Sequence, residues 1–178
     1  MGKVDDNKQQ KLNALLNAAY DLFTTQSVEK TTIAEISKAA DVAKGTFYLY
    51  FKDKYEIRNR LISHESSKLF KDAVAALEKK SSTVSEEPAF EEKMIFIINY
   101  IVDALEGNHS LLTFISKNLS WGVFKEALTT NVASNDINFK DIYYEMLSTS
   151  GLSIEEPEIL LFLVVELVGS TCYSSILY

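Results

Sequence analysis

Cysteine, proline and glycine are all scarce in this chain of 178 residues. Cys172 is the only cysteine, so an internal disulfide is impossible. Two prolines and six glycines leave few interruptions for long helices, and the hydrophobic fraction of 47% is that of an ordinary globular protein. The N-terminus lacks the basic stretch, apolar run and cleavage site of a secretory signal. We therefore expect an all-α protein located in the cytoplasm.

Residue types that carry catalysis or bind metals are also few. The two histidines, His64 and His109, fall on different predicted helices, and no cysteine pair or spaced set of carboxylates accompanies them. The sequence contains no Gly-rich phosphate-binding loop. It therefore predicts no metal site, no cofactor and no enzyme active site.

A single long apolar run lies at the C-terminal end. Residues 159–178 contain one charge, Glu166, and are long enough to be considered as a membrane span. A carboxylate near the middle of a span costs roughly 3 kcal/mol, and no Lys or Arg flanks the run. We expect a buried or dimer-interface helix here and no contact with a membrane.

Charge is unevenly distributed along the chain. The net charge is −7, which by itself argues against a nucleic-acid partner. Residues 1–60, however, hold ten Lys and Arg against eight Asp and Glu, whereas residues 61–178 hold eight against seventeen. The N-terminal part thus has a net charge of +2 and the remainder −9. This asymmetry suggests a head that meets an anion and a body that does not.

Residues 32–49 show the pattern of a helix-turn-helix. Thr32 and Glu35 have the spacing of a capping box, in which each side chain bonds the other residue's backbone N–H, and a helix should follow to about residue 40. A tight turn at 41–42 and a short helix over 43–49 complete the motif.

The rest of the chain also has the periodicity of helices. A first amphipathic helix is predicted over 8–24. A fourth, from 52 or 53 to 80, would span roughly 40 Å at about 1.5 Å per residue. A polar break at 81–88 separates it from the body. Body helices are predicted at 90–106, 110–119, 121–133, 138–150 and 156–178.

Residues 12–61 resemble the DNA-binding head of the TetR family of transcriptional regulators. The resemblance is strongest in the run KGTFYLYF at 44–51, followed by Lys52 and Lys54. It implies a three-helix DNA-binding head at 1–51 and, joined to it by the long fourth helix, an α-helical ligand-binding and dimerisation body at 52–178. The implied function is that of a homodimeric repressor, which a small-molecule effector releases from a palindromic operator in double-stranded DNA.

The first turn of a recognition helix that enters the major groove end-on lies closest to the bases. Gly45 in that turn has two explanations, close approach of its backbone to DNA or tight packing on the neighbouring helix. The resemblance assigns Tyr48 to a phosphate and Tyr50, Phe47 and Phe51 to the core. From groove geometry and the resemblance together, the expected DNA-contacting residues are Thr31, Thr32, Lys44, Gly45, Thr46, Tyr48, Leu49, Tyr50, Lys52 and Lys54.

Some of these residues have a second explanation. Thr31 and Thr32 cap the second helix, bind a phosphate, or do both. Lys52 and Lys54 flank the start of the fourth helix, whose free amides favour a phosphate, but lysines there are equally well explained as solvated surface.

Three positions depart from the family pattern. Ser27 and Asp41 stand where glycine is usual, at turns that call for a left-handed backbone, which Asp tolerates better than Ser. Ala43 replaces the usual serine cap of the recognition helix, at a cost of about 1 kcal/mol. These changes predict a locally softer head that still binds DNA.

The body is rich in aromatic residues, most of which we expect in its core. The resemblance implies a ligand cavity, and the scarcity of basic residues favours a neutral or cationic apolar effector. The candidate lining residues are Tyr100, Phe114, Trp121, Phe124 and Tyr143. For the dimer interface, the candidates are Ile159, Phe162, Leu163, Val164 and Leu167.

Two other functions are compatible with a small helical chain. One is an interaction protein that has lost DNA binding, which the basic residues of the head disfavour. The other is a helical enzyme, which the absence of a nucleophile, base or metal constellation disfavours.

Overall fold

The computed structural model describes residues 3–82, 88–129 and 139–177. Within these ranges the chain forms nine helices and no strand, which confirms the all-α prediction. The described residues fall into two compact units, Met1–Ile62 and Ser63–Tyr178. The helices are α1 (Lys3–Gln26), α2 (Ile33–Ala39), α3 (Lys44–Phe47), α4 (Lys54–Ser81), α5 (Phe90–Glu106), α6 (His109–Asn118), α7 (Trp121–Thr129), α8 (Phe139–Ser148) and α9 (Pro157–Leu177).

The first unit contains α1, α2, α3 and the first turns of α4. Helix α2 packs against both α1 and α3. Every helix contributes apolar side chains to the interior, because the apolar stripe of each one faces its neighbours. The buried apolar side chains of this unit include Leu15, Phe23, Ile36, Phe47, Phe51, Ile57, Leu61 and Ile62.

The start of α4 is set by a capping residue that the sequence pattern did not reveal. The carboxylate of Asp53 accepts hydrogen bonds from the backbone N–H groups of Tyr55 and Glu56, each at 2.8 Å. The carboxylate of Glu56 in turn accepts from the backbone N–H of Lys52 at 2.7 Å. Amides that we expected to be free for a phosphate are therefore already bonded within the chain.

The described residues of the second unit form two buried apolar clusters. The first cluster joins Phe70, Ala73, Val74 and Leu77 of α4 to Ile97 of α5. The second joins Phe124 of α7, Tyr143 of α8 and Leu161 of α9. Helix α9 also packs against α5 and α6. The predicted end of the seventh helix at 133 lies outside the described residues.

Helix α9 leaves much of its apolar surface uncovered in the single chain. Leu163 and Leu167 are 58% and 69% exposed, and Ile159 and Leu160 are exposed as well. The stretch Pro157–Ser175 has a mean hydropathy of 1.4, with only 6% of its residues buried. By length and composition alone α9 is able to cross a membrane, a property that the core helix of a soluble protein also has.

Two turns of the first unit adopt the left-handed backbone that the sequence predicted. Ser27 has φ of 79° and Asp41 has φ of 53°. Ser27 ends α1, and its N–H donates to the carbonyl of Phe23 at 3.2 Å. Hydrogen bonds from the backbone N–H of Glu29 and from the Ser27 hydroxyl lower the pKa of the Glu29 carboxyl. Ser27 thus gains a side-chain contact in a conformation that disfavours its Cβ.

We predict that Ser27→Gly is more stable than Ser27→Ala. Both changes remove the hydroxyl, but only glycine also removes the Cβ that strains a left-handed residue, a difference of about 1 kcal/mol in the free energy of unfolding. Urea unfolding of the two variants measures it. An alanine variant as stable as the glycine variant would show that the turn stores no such strain.

Candidate DNA-binding site

The helix-turn-helix is formed by α2, a turn and α3. The turn after α2 is closed by backbone hydrogen bonds from Asp41 N–H to Lys38 O at 3.2 Å and from Val42 N–H to Ser37 O at 3.0 Å. The positive φ of Asp41 reverses the chain within these few residues. As predicted, α3 lacks a side-chain cap at Ala43.

Helix α3 is shorter than predicted. We expected it to extend over 43–49, but it ends at Phe47. The N–H of Leu49 bonds the carbonyl of Thr46, and the N–H of Tyr50 bonds that of Phe47, at 3.1 and 3.0 Å. These three-residue spacings tighten the chain into a turn, which ends the regular helix early.

Phe47 and Phe51 hold this segment in place by packing into the interior of the head. They are 0% and 2% exposed, and their rings lie 5.6 Å apart. The ring of Tyr48 meets that of Phe47 edge-on at 5.6 Å. The core position predicted for both phenylalanines agrees with this burial.

The opposite side of the segment faces solvent. Lys44 and Gly45 are exposed, Thr46 is half-buried, and Tyr48 and Leu49 are 51% and 80% exposed. These five residues form what we call the α3 face.

Gly45 has open space around it. A Cβ built on this residue would meet no atom within 4 Å, apart from its own chain neighbours and local helix backbone. Of the two explanations for this glycine, tight packing on a neighbouring helix therefore has no support in the structure.

The two threonines before α2 have different roles. Thr32 is the N-cap, its hydroxyl accepts from the N–H of Glu35 at 3.2 Å, and its own N–H donates to the Glu35 carboxylate at 2.8 Å. This is the predicted capping box, and hydrogen bonds from the Thr32 hydroxyl and N–H lower the pKa of Glu35. Thr31 is fully buried, and its hydroxyl donates to Ser27 O at 2.7 Å. The hydroxyl is therefore engaged within the chain in this structure, and a contact between Thr31 and DNA stays a prediction.

The remaining head residues divide between surface and internal contacts. Lys52 is exposed. Tyr50 is half-buried, and its hydroxyl donates to the carbonyl of Lys8 in α1 at 3.1 Å. The ammonium of Lys54 donates to the carbonyls of Glu29 and Thr31 at 2.9 and 3.0 Å. Nothing in the local sequence pattern marks these three hydrogen bonds, because they join residues 23 to 42 positions apart.

The five ligand candidates of the body do not come together as one group. Trp121 stacks on Phe124 at 6.0 Å, and Phe124 belongs to the same buried cluster as Tyr143. Tyr100 packs instead against the cluster of α4 and α5. Phe114 of α6 is buried and belongs to neither described cluster.

The dimer candidates on α9 are likewise divided. Phe162 is half-buried and lies 5.1 Å from Trp121 and 5.3 Å from Phe124, so it packs within its own chain. Val164 is half-buried, and Ile159, Leu163 and Leu167 are exposed. In the parts of the chain that the structure describes, no three His, Cys, Asp or Glu side chains are grouped in a way that could hold a metal.

Comparison with known proteins gives matches to bacterial transcriptional regulators. Residues 15–61 match the family model described as bacterial regulatory proteins, tetR family. The fatty acid metabolism regulator protein of Bacillus subtilis is 31% identical over 105 residues, which cover 58% of this chain and 50% of that protein. This chain thus spans about half the length of that relative.

Solved structures match the whole fold. A putative tetR family transcription regulator from Shewanella has a TM-score of 0.63 at 18% identity, covering 91% of this chain and 83% of the other. The transcriptional regulator FadR from Bacillus subtilis, in complex with stearoyl-CoA, has a TM-score of 0.60 at 20% identity, covering 93% and 87%. At such identities the likeness establishes the fold, a helix-turn-helix head with a helical body.

Proposed function

We propose that the chain is a TetR-family repressor that binds a palindromic operator as a homodimer, as the match of residues 15–61 to the family model supports. Residues 1–51 would bind the DNA, and residues 52–178 would dimerise and sense an effector. The α3 face is the observation that carries this proposal. It presents Lys44, Gly45, Thr46, Tyr48 and Leu49 to solvent on a support of buried phenylalanine.

The chemistry of the α3 face suits a major groove. Lys44 supplies a cation, the Thr46 hydroxyl bonds a base edge, and Leu49 offers an apolar surface to a thymine methyl group. Tyr48 supplies a hydroxyl that donates to a phosphate. Gly45 keeps the space between these side chains free, so that the backbone approaches the DNA closely. Exposed Lys52 adds a phosphate contact beside this face.

The apolar stripe of α9 suits a second copy of the chain. Ile159, Leu163 and Leu167 recur every four residues and are exposed along one side of the helix. A two-fold symmetric pair covers the same stripe on both protomers at once. Two heads related by such an axis read a palindrome, so the stripe and the α3 face serve one function. With α9 covered in this way, the protein stays in the cytoplasm and does not enter a membrane.

The effector we propose is an apolar small molecule that contacts the aromatic group of Trp121, Phe124 and Phe162. Their rings lie 5.1 to 6.0 Å apart. Two observations disagree about the charge of the polar end of this effector. The FadR structure contains stearoyl-CoA, which is anionic, whereas residues 61–178 carry a net charge of −9. We favour a neutral or cationic end, because this charge belongs to the chain itself.

The first prediction separates DNA contact from folding at Gly45. Gly45→Ala should raise the free energy of unfolding by about 0.5 to 1 kcal/mol, because alanine favours a helix and meets no neighbour. The same variant should weaken binding to an operator about tenfold or more, because the methyl group holds the backbone away from the bases. The operator is obtained by selecting bound sites from random double-stranded DNA, and fluorescence anisotropy measures affinity.

Gly122→Ala is the matched control. Gly122 is a helical glycine of α7 with equally open surroundings, so alanine there should stabilise the fold without affecting DNA binding. Unchanged operator affinity in Gly45→Ala would contradict the close approach that the proposal requires.

The second prediction concerns dimerisation. Leu163→Asp should raise the dissociation constant of the dimer about 100-fold or more, because a symmetric interface loses two buried leucines worth about 1.5 to 3 kcal/mol each. Analytical ultracentrifugation measures it. Ile95→Asp on α5 is the control, since Ile95 and Leu163 are each 58% exposed. A monomeric wild-type chain at micromolar concentration, or equal losses in both variants, would refute α9 as the interface.

The third prediction concerns the aromatic group that we propose binds the effector. Decyltrimethylammonium should release the wild-type chain from its operator at lower concentration than lauroyl-CoA. Trp121→Ala should raise the concentration needed about tenfold while operator affinity stays the same, because one apolar contact is lost. Ile95→Ala serves as a control on another helix. Release by lauroyl-CoA alone would contradict the proposed charge, and loss of operator affinity in Trp121→Ala would make Trp121 structural.

A further inference from the structure

Lys54 stands where the sequence suggested a phosphate contact, but its ammonium group is turned into the head. Nζ donates to Glu29 O at 2.9 Å and to Thr31 O at 3.0 Å. Both carbonyls lie between the end of α1 at Gln26 and the start of α2 at Ile33. Carbonyls in such a connection do not belong to a helical ladder and need other partners.

The charge of Lys54 also acts on a neighbouring carboxyl of the head, that of Glu29. Hydrogen bonds from the backbone and from Ser27 lower the pKa of the Glu29 carboxyl, and the positive charges of Lys54 and Arg58 lower it further. The ring of Tyr55 lies 5.6 Å from Nζ on another side. Two of the three N–H donors of this ammonium group are taken up by carbonyls within the head, which holds Nζ away from a phosphate on the DNA.

We propose that Lys54 is a positioning residue, which ties the first turn of α4 to the segment that starts α2. The inference rests on the proposed DNA binding, because the tie matters only if α3 must meet the groove in one orientation. Thr31, whose carbonyl accepts from Lys54, directly precedes the N-cap Thr32. The hydrogen bonds of Lys54 are therefore adjacent to the capping box of α2, the helix against which α3 packs.

The tie makes the start of α4 and the helix-turn-helix one rigid body. A shift of the first turn of α4 moves the connection between α1 and α2 with it, rather than bending the head at residues 52–54. Two carbonyl acceptors in the connection between α1 and α2 give the flexible Lys54 side chain defined partners. Lys52, two residues earlier, is exposed and is the lysine left to meet a phosphate.

The test compares Lys54→Met and Lys52→Met in the full-length chain. A contact with a phosphate contributes about one unit per protomer to the slope of log affinity against log salt. Lys52→Met should lose that unit. Lys54→Met should keep the full slope but bind the operator about tenfold more weakly, the size expected for hydrogen bonds from a charged donor. Lys54→Arg should restore affinity, because its guanidinium still donates to two carbonyls.

A second measurement does not involve DNA. Hydrogen exchange in residues 27–35 of free protein should be about tenfold faster in Lys54→Met than in wild type, and normal in Lys54→Arg. A salt slope that falls in Lys54→Met as in Lys52→Met would overturn the proposal, as would unchanged exchange at 27–35. If the wild-type chain bound no DNA, the proposed function would fail, and the exchange experiment would still decide whether Lys54 holds the connection.

Discussion

The position of α3 depends on the burial of one side chain, Phe47. Helix α3 has only four residues, far fewer than a helix needs to be stable by itself. It also lacks a side-chain cap. Its geometry must therefore come from packing, and Phe47 is fully buried at its end, against Phe51. Each exposed residue of the α3 face takes its orientation from this contact.

A short helix held by one aromatic anchor requires a rigid support. That support comes from α2, whose start is fixed by the capping box of Thr32 and Glu35. The connection before it is held by the buried hydroxyl of Thr31 and by the ammonium of Lys54. Internal polar contacts of the head thus fix the position of the α3 face, whose own side chains make few contacts within the chain. The side chains available to contact DNA are those that do not pack against the interior of the head.

Local patterns predicted the parts of the head that depend on local interactions. The spacing of Thr32 and Glu35 predicted a capping box. The left-handed turns at Ser27 and Asp41 were predicted from the resemblance to the family, in which glycine is usual at both positions. The contacts of Lys54 and Tyr50 join distant residues, and no periodicity contains that information. Burial of Thr31 was missed for the same reason, because one turn of sequence does not show which of two threonines faces inward.

The body illustrates the same limit. Apolar periodicity predicted its helices, but it did not tell which aromatics share a cluster. Tyr100 and Tyr143 were grouped by composition, whereas the fold places them in different clusters. The exposed stripe of α9 was foreseeable in part, since a helix that is apolar on nearly every side requires more cover than its own chain supplies.

The central claim is that the α3 face enters the major groove of a two-fold symmetric site. Methylation interference on a selected site tests it directly, because dimethyl sulfate modifies guanine N7 in the major groove and adenine N3 in the minor groove. If the α3 face enters the major groove, guanine methylation should block binding in two clusters related by a dyad, about one helical turn or more apart. Interference at adenine N3 alone, or in a single cluster, would contradict it.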